Sequence, residues 1–490
     1  MPADRFDVIV LGADIEGLFA AASLAAAGRH VVVLDPGQPG VDRIDGDDCL
    51  VSVVAVSELD LVSHGLRLSA PRPIIGVSRE HSLVLWPEAD ATLAGIAMLS
   101  ARDADAFEGF SALVRRGAAG DVANSDFTFS NWHLGSGADA SSEISFLRST
   151  SIERVLDEAF TLPLLKGMLA QSALLGTGVS PRAPGSACLL MRQSLLSLLG
   201  EPVPSRHVAG GYVQLKQSLL ASLKFFNNAE VRQVPDVKSL IFERDSVSGV
   251  VLGDGTSVKA ADVISTLRHE RLRACADGTA LFSPQRPSFV LPGQIQFRVR
   301  TAPVFRGVSP GLSASGAVMR INPSLERLVR SHGAYRSRQL LQDFCLDLRV
   351  VAAREPIAPP HWDVFADVLH VPSATSDGPW SGNRRDRFVA AVTQAIEVWA
   401  PGFENSIESS ALLEPVEARS IVEAGSTLSL ELQSNHDPLS VPDMFTVPAE
   451  SLQKGLWSIE PSLIQGAGLA GLNVARALGA PVRGKVSSDA

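Results

Sequence analysis

Apolar and polar positions follow three rhythms along the chain. FDVIVL at 6–11 and HVVVLD at 30–35 are short, nearly unbroken apolar runs rich in β-branched residues, the pattern of strands buried on both faces. Between them DIEGLFAAASLAAAG, at 14–28, is Ala-rich with helical spacing, so residues 6–35 predict a strand–helix–strand unit with parallel strands. Gly12, Asp14 and Gly17 occupy the glycine positions of a G-x-G-x-x-G turn. In that turn the second glycine lets the backbone approach a pyrophosphate lying on the helix N-terminus. Here the second position is the acid. Asp35 closes the second strand, where such units place a carboxylate for a ribose.

Further along, Gly210-Gly211 opens a helix running through Leu223, with Leu215, Leu219, Leu220 and Leu223 as one apolar stripe. Residues 230–237 read as extended, and the following meander turns at Asp254-Gly255, a hairpin signal, before VISTL returns to the main sheet. SARDADAFEGFSALVRR begins with Ser and acids and predicts an amphipathic helix. SIERVLDEAFTLPLLKGMLAQSALLG repeats that pattern, with Ser151 and Glu153 at its N-cap. Pro181, Pro184 and Gly185 mark a turn into an apolar helix, SACLLMRQSLLSLLG. FVLPGQIQFRVR alternates as a strand, DVFADVLHV follows as another, and RRDRFVAAVTQAIEVW predicts a surface helix before Pro401-Gly402.

The 490 residues are long for one domain and suit two interleaved ones, and 46% hydrophobic content supplies ample core. A net charge of −10 without a Lys/Arg cluster argues against a nucleic-acid partner. No apolar run reaches the roughly 18–20 residues of a membrane span. No charged-then-apolar leader precedes Phe6, and Cys49, Cys188, Cys275 and Cys345 lack CxxC or metal spacing. The expectation is a cytoplasmic protein without a metal site.

Three segments carry a family resemblance. The opening unit, residues 210–266 (from GGYVQLKQSLLASL to VIST) and residues 455–479 (GLWSIEPSLIQGAGLAGLNVARALG) resemble the phytoene-desaturase-like and amine-oxidase-like flavoproteins in order and spacing. The resemblance implies an α/β fold: a Rossmann-like FAD-binding domain of the GR2 type, built from 1–64, 206–274 and 446–490. An interleaved α+β substrate domain would come from 65–205 and 275–445. It also places Gly12, Asp14, Gly17, Asp35, Val237, Glu460, Gly466 and Gly468 at the FAD site, with Val237 ending the segment whose backbone touches adenine.

The chain departs from that family where phosphate should lie. Glu460 stands where a glycine is usual, Ser462-Leu463-Ile464-Gln465 follow it, and Gly466, Gly468 and Gly471 remain. After Asp35 the expected Gly-Gly turn is split into Gly37 and Gly40, with four more acids following. A carboxylate roughly 4 Å from a phosphate costs about 4 kcal/mol at an effective dielectric near 20. Protonating an Asp at neutral pH costs a similar amount. Asp14 and Glu460 together would remove on the order of 8 kcal/mol, enough to turn a nanomolar cofactor into a roughly millimolar one. The opposing expectation is that Asp14 and Glu460 both point away, capping a helix or facing solvent, so that FAD still binds; Asp14 would suit a helix N-terminus on dipole grounds alone.

Catalytic candidates are sparse, and the catalytic residues are left unassigned. His361 and His370 flank a predicted strand, Trp132-His133, Trp362 and Trp380 offer aromatic surface, and Arg192, Arg206 and Arg384-Arg385 could meet an acidic substrate. Core or solvated roles compete with each reading. No GxSxG elbow is present. Three functions follow: a non-catalytic or structural subunit paired with an FAD-binding homologue, an active FAD-dependent oxidoreductase or desaturase on a small apolar molecule, or a cofactor-free binding protein. The first fits the lost glycines best.

Overall fold

The computed structural model describes residues 5–37, 49–69, 72–123, 142–175, 177–191, 205–244, 246–267, 269–276, 288–289, 293–308, 316–341, 343–352, 361–372, 374–376, 378–413, 432–433, 449–450, 454–459 and 469–480. Its centre is a mixed eight-stranded sheet. β1 (Arg5–Leu11) lies between β2 (Val31–Asp35) and the strand Ser257–Ser265, parallel to both. Ala229–Gln233 extends the sheet beyond β2, and Leu456–Ser458 beyond Ser257–Ser265, again in parallel. Val8, Ile9, Val10 and Leu11 are fully buried, as their apolar run predicts for a strand covered on both faces.

α1 (Ile15–Ala26) connects β1 to β2 and packs on one face of this sheet with the helices Gly211–Phe225 and Leu469–Ala477. Its alanines make that packing close: Ala20, Ala21 and Ala22 have no exposed surface. On the opposite face Val237–Glu243 and Ser246–Leu252, joined to Ser257–Ser265 through a turn with Gly255 at φ +85°, pack their apolar side chains with Ile9, Leu11, Val32 and Leu34. The helix from Gly211 has the stripe read from its leucines, with Leu215, Leu219 and Leu223 buried and Leu220 half-buried.

A second, mainly antiparallel sheet has seven strands in the order Ile407–Leu413, Gly293–Val299, Trp362–Val368, Leu346–Ala352, Val318–Ile321, Ile74–Val77, Ser82–Leu85. One face is apolar: Ile295, Phe297, Val299, Leu348 and Val364 pack under Phe388, Val392 and Ile396 of the helix Gly382–Glu397. That helix is the surface helix expected before Gly402, which sits at φ +88°.

Two helix predictions need correction. The run from Ser151 is two helices, Ile152–Ala159 and Pro163–Leu174, because Pro163 disfavours helical backbone at Leu162 and starts a new helix at its first position. Ser151 caps the first by accepting from Arg154 N, as read. After Gly185 the chain forms a 3-10 segment, Ser186–Met191, rather than an α-helix, and residues 192–200 lie outside the described residues.

Candidate dinucleotide site at the first helix

The β1–α1 turn is built from glycines with packing reasons of their own. Gly12 adopts φ +107°, and a Cβ there would stand 2.2 Å from Thr266 Oγ1. Thr266 follows the neighbouring strand and ties it to the turn, its hydroxyl donating to the Leu11 carbonyl at 3.0 Å. A Cβ on Gly17 would lie 2.6 Å from the Gly12 carbonyl oxygen. Both glycines are demanded by the close strand–helix approach, with or without a ligand.

Asp14 is the N-cap of α1. Its backbone is extended (φ −78°, ψ 176°), and its Oδ1 accepts from Gly17 N at 2.8 Å. Only 7% of its surface is exposed. Burial pushes its carboxyl up from 3.8 to about 6, against the pull of hydrogen bonds from Thr266 and Gly17 and of the Lys216 ammonium, while Asp35 adds a small upward push. The carboxylate thus takes an amide at the helix N-terminus, the feature that makes such an end an anion site.

Glu16, one residue into α1, performs the same act on another helix. Its Oε2 accepts from Gly471 N at 2.8 Å, at the first turn of Leu469–Ala477, and Glu16 is 6% exposed. A Cβ on Gly471 would meet the Glu16 carbonyl oxygen at 2.2 Å and Ala20 N at 2.9 Å, so the two helices cross in backbone contact. Arg476, further along that helix, bonds the carboxylate of Glu58. Glu16 was not among the site residues read from the sequence. Its partner is 455 residues away, and only the acid at the second helical position hinted at it.

Asp35 ends β2, where its Oδ1 accepts from Gly37 N at 3.1 Å and its Oδ2 from Gln233 Nε2 at 2.8 Å. Val237 opens its strand, buried, and its carbonyl accepts from the Cys275 thiol at 3.3 Å. Gly12, Asp14, Gly17 and Asp35 are therefore assembled at the carboxyl ends of β1 and β2. Glu460, Ser462 to Gln465, Gly466, Gly468 and Gly40 lie outside the described residues, as do Trp132, His133 and Arg192.

The remaining sequence candidates fall into packing roles. His361 pairs with Glu408 at 2.9 Å. His370, at φ +58°, is buried against Ser331, His332 and Tyr335, and burial pushes its imidazole down to about 3. Trp362 and Trp380 pack against the apolar face of the seven-stranded sheet, and Arg384 donates to the Gly378 carbonyl. Arg206 lies in the strand Ser205–Val208, paired with Val51. Among the described residues no trio of His, Cys, Asp and Glu could hold a metal, and no helix is long and apolar enough to cross a membrane.

The other face of the seven-stranded sheet carries charge. Arg320 and Asp347, 2% and 2% exposed, form a two-point ion pair at 2.8 and 2.6 Å. Arg320 also bonds Met168 O and Ser172 Oγ, and Gln171 donates to Asp347 at 2.8 Å, fixing the helix Pro163–Leu174 to the sheet. On the adjoining strand, directly opposite Asp347, Asp367 accepts from Arg349 at 3.0 Å and from Gln294 at 2.8 Å. These groups alternate with the core residues along each strand, a charged register that the sequence reading passed over.

The architecture is the FAD-binding oxidoreductase fold of the amine oxidases, the class the sequence resembles. Wild-type putrescine oxidase bound to putrescine superposes with a TM-score of 0.57 over 97% of this chain and 98% of that one, at 14% identity. Cyclohexylamine oxidase from Brevibacterium oxydans gives 0.55 over 98% and 99%, at 11% identity. In sequence the chain is similar to the mouse pyridine nucleotide-disulfide oxidoreductase domain-containing protein 2, with 25% identity across 84% of this chain and 81% of the mouse protein. The rat protein of the same name is 23% identical over the same shares. No family model matches the chain.

Proposed function

We propose that this chain is a flavoprotein oxidoreductase homologue whose own dinucleotide site does not take FAD, acting as a non-catalytic or structural subunit beside an FAD-binding homologue. The observation that carries the reading is the Asp14 carboxylate on Gly17 N. A phosphate reaching this helix end would have to displace an anion already seated there and endure its charge, a cost of about 4 kcal/mol at 4 Å. The residues present do not fit a pyrophosphate, and no redox step is assigned to the chain. The full-length likeness to oxidoreductases supports the ancestry, and the interleaved partition at 64, 205, 274 and 445 belongs to the same proposal.

A second reading has two observations in its favour, the first being that Asp14 caps its own helix, the role expected of it if FAD still binds. A carboxyl raised to about 6 takes up a proton more readily than an ordinary Asp, and a neutral acid could donate to a phosphate oxygen. On that reading the chain is an active FAD-dependent oxidoreductase on a small molecule. Purification of the chain alone and co-expressed with a flavin-binding homologue separates the two. The proposal expects a colourless isolated chain with FAD affinity weaker than roughly 10 μM, and a co-purifying complex that turns over. Stoichiometric FAD in the isolated chain overturns it and establishes the second reading.

A further inference from the structure

The turn at Asp14-Ile15-Glu16 sends two carboxylates to two different helix N-termini. Asp14 takes the amide of Gly17 in α1, and Glu16 takes the amide of Gly471 in Leu469–Ala477, both at 2.8 Å. Both side chains are more than nine-tenths buried. These helices come from the first and last segments of the chain, and they cross where Gly471 lets their backbones touch. A carboxylate on a helix N-terminus does what a phosphate does there: its oxygens accept from unsatisfied N–H groups and its charge meets the positive end of the dipole. Burial keeps water from competing for the amides, while it also makes the Asp14 charge costly to hold.

We propose that Asp14 and Glu16 form an internal surrogate for a pyrophosphate, two chain-borne anions that hold the N-terminal and C-terminal segments together with no dinucleotide bound. This rests on the reading that the site takes no FAD and goes beyond it by assigning Glu16, a residue outside the glycine motif, the linking role. Asp14 closes the anion site of its own helix. Glu16 closes the second and supplies a direct hydrogen bond between the α1 turn and the backbone of the last helix. The pair occupies amides at both helix ends that a phosphate would otherwise use.

The test uses the full chain with Asp14→Asn, Glu16→Gln, the double variant and Glu16→Ala. Asn and Gln keep the shape of each side chain and remove its charge. Calorimetric titration with inorganic pyrophosphate, and separately with FAD, should show no binding to the wild type at about 1 mM and gains in the variants. The double variant should bind pyrophosphate about tenfold more tightly than either single one, less than the full loss of two like charges would give. In amide exchange, Glu16→Ala should speed residues 469–477 about tenfold while the meander 237–265 keeps its protection, which shows that the chain remains folded. Equal exchange of 469–477 in Glu16→Ala and wild type, or a double variant that binds pyrophosphate no better than wild type, overturns the surrogate. The flavin content of the isolated wild type decides the parent reading independently.

Discussion

Replacing Asp14 with Asn should stabilise the protein at alkaline pH and leave it almost unchanged in acid. Asn caps a helix about as well as Asp, so the bond to Gly17 N survives as a side-chain carbonyl acceptor. What changes is the buried charge. The folded chain holds the Asp14 proton up to about 6, against an ordinary 3.8 in the unfolded chain. A group whose folded value is raised contributes stability that is fully present below the unfolded value and is lost as pH rises through the folded one. The interval of about two pH units corresponds to roughly 3 kcal/mol lost between about pH 4 and pH 7. The Asp14→Asn variant escapes that loss. Denaturant titrations of both proteins at about pH 4 and about pH 8 should show near-equal midpoints in acid and a variant up to about 3 kcal/mol more stable in base. A variant less stable than wild type at pH 8 would refute the reasoning, because it would mean that the ionised carboxylate is a net gain on the helix end.

Two further outcomes follow from packing and burial. Arg320→Met should cost about 3–5 kcal/mol by thermal or denaturant unfolding, because it strands the buried Asp347 carboxylate, whereas the double change Arg320→Met with Asp347→Leu should recover much of the loss. All four cysteines are buried and burial pushes the Cys345 thiol up to about 12, so a thiol reagent at neutral pH should label none of them rapidly in the native protein and all four after denaturation.

The central sheet was legible in the sequence because its signals are local. The nearly unbroken apolar run of β1, the small residues of α1 and the glycine at position 12 all stand within the same thirty or so residues, so their pattern reads directly even though Thr266 and the two later helices supply the contacts. The Asp254-Gly255 hairpin was equally plain. Pro163 shows where locality was misjudged: the helical period runs through it, and only the clash with the preceding backbone splits the helix. The direction of Asp14 was not legible, since one position serves a helix cap and a phosphate contact alike. The charged ladder of Arg320, Asp347, Arg349 and Asp367 was missed for a different reason. Each acid or base is hidden in an alternation that suits a solvated face, and what makes it a buried pair is a residue on another strand.

The contact between Glu16 and Gly471 has a consequence for how the chain is made. Its two halves are 455 residues apart, so a ribosome adding roughly 5–20 residues per second finishes the first about 20–90 s before the second. Through that interval α1 exists without the helix Leu469–Ala477 that packs on it, and once Ser257–Ser265 is made its edge stands open until Leu456–Ser458 pairs with it. The central sheet is therefore closed only after residues 456–477 have been made. A chain stopped before residue 456 would carry α1, β1 and Ser257–Ser265 without the strand and helix that close them.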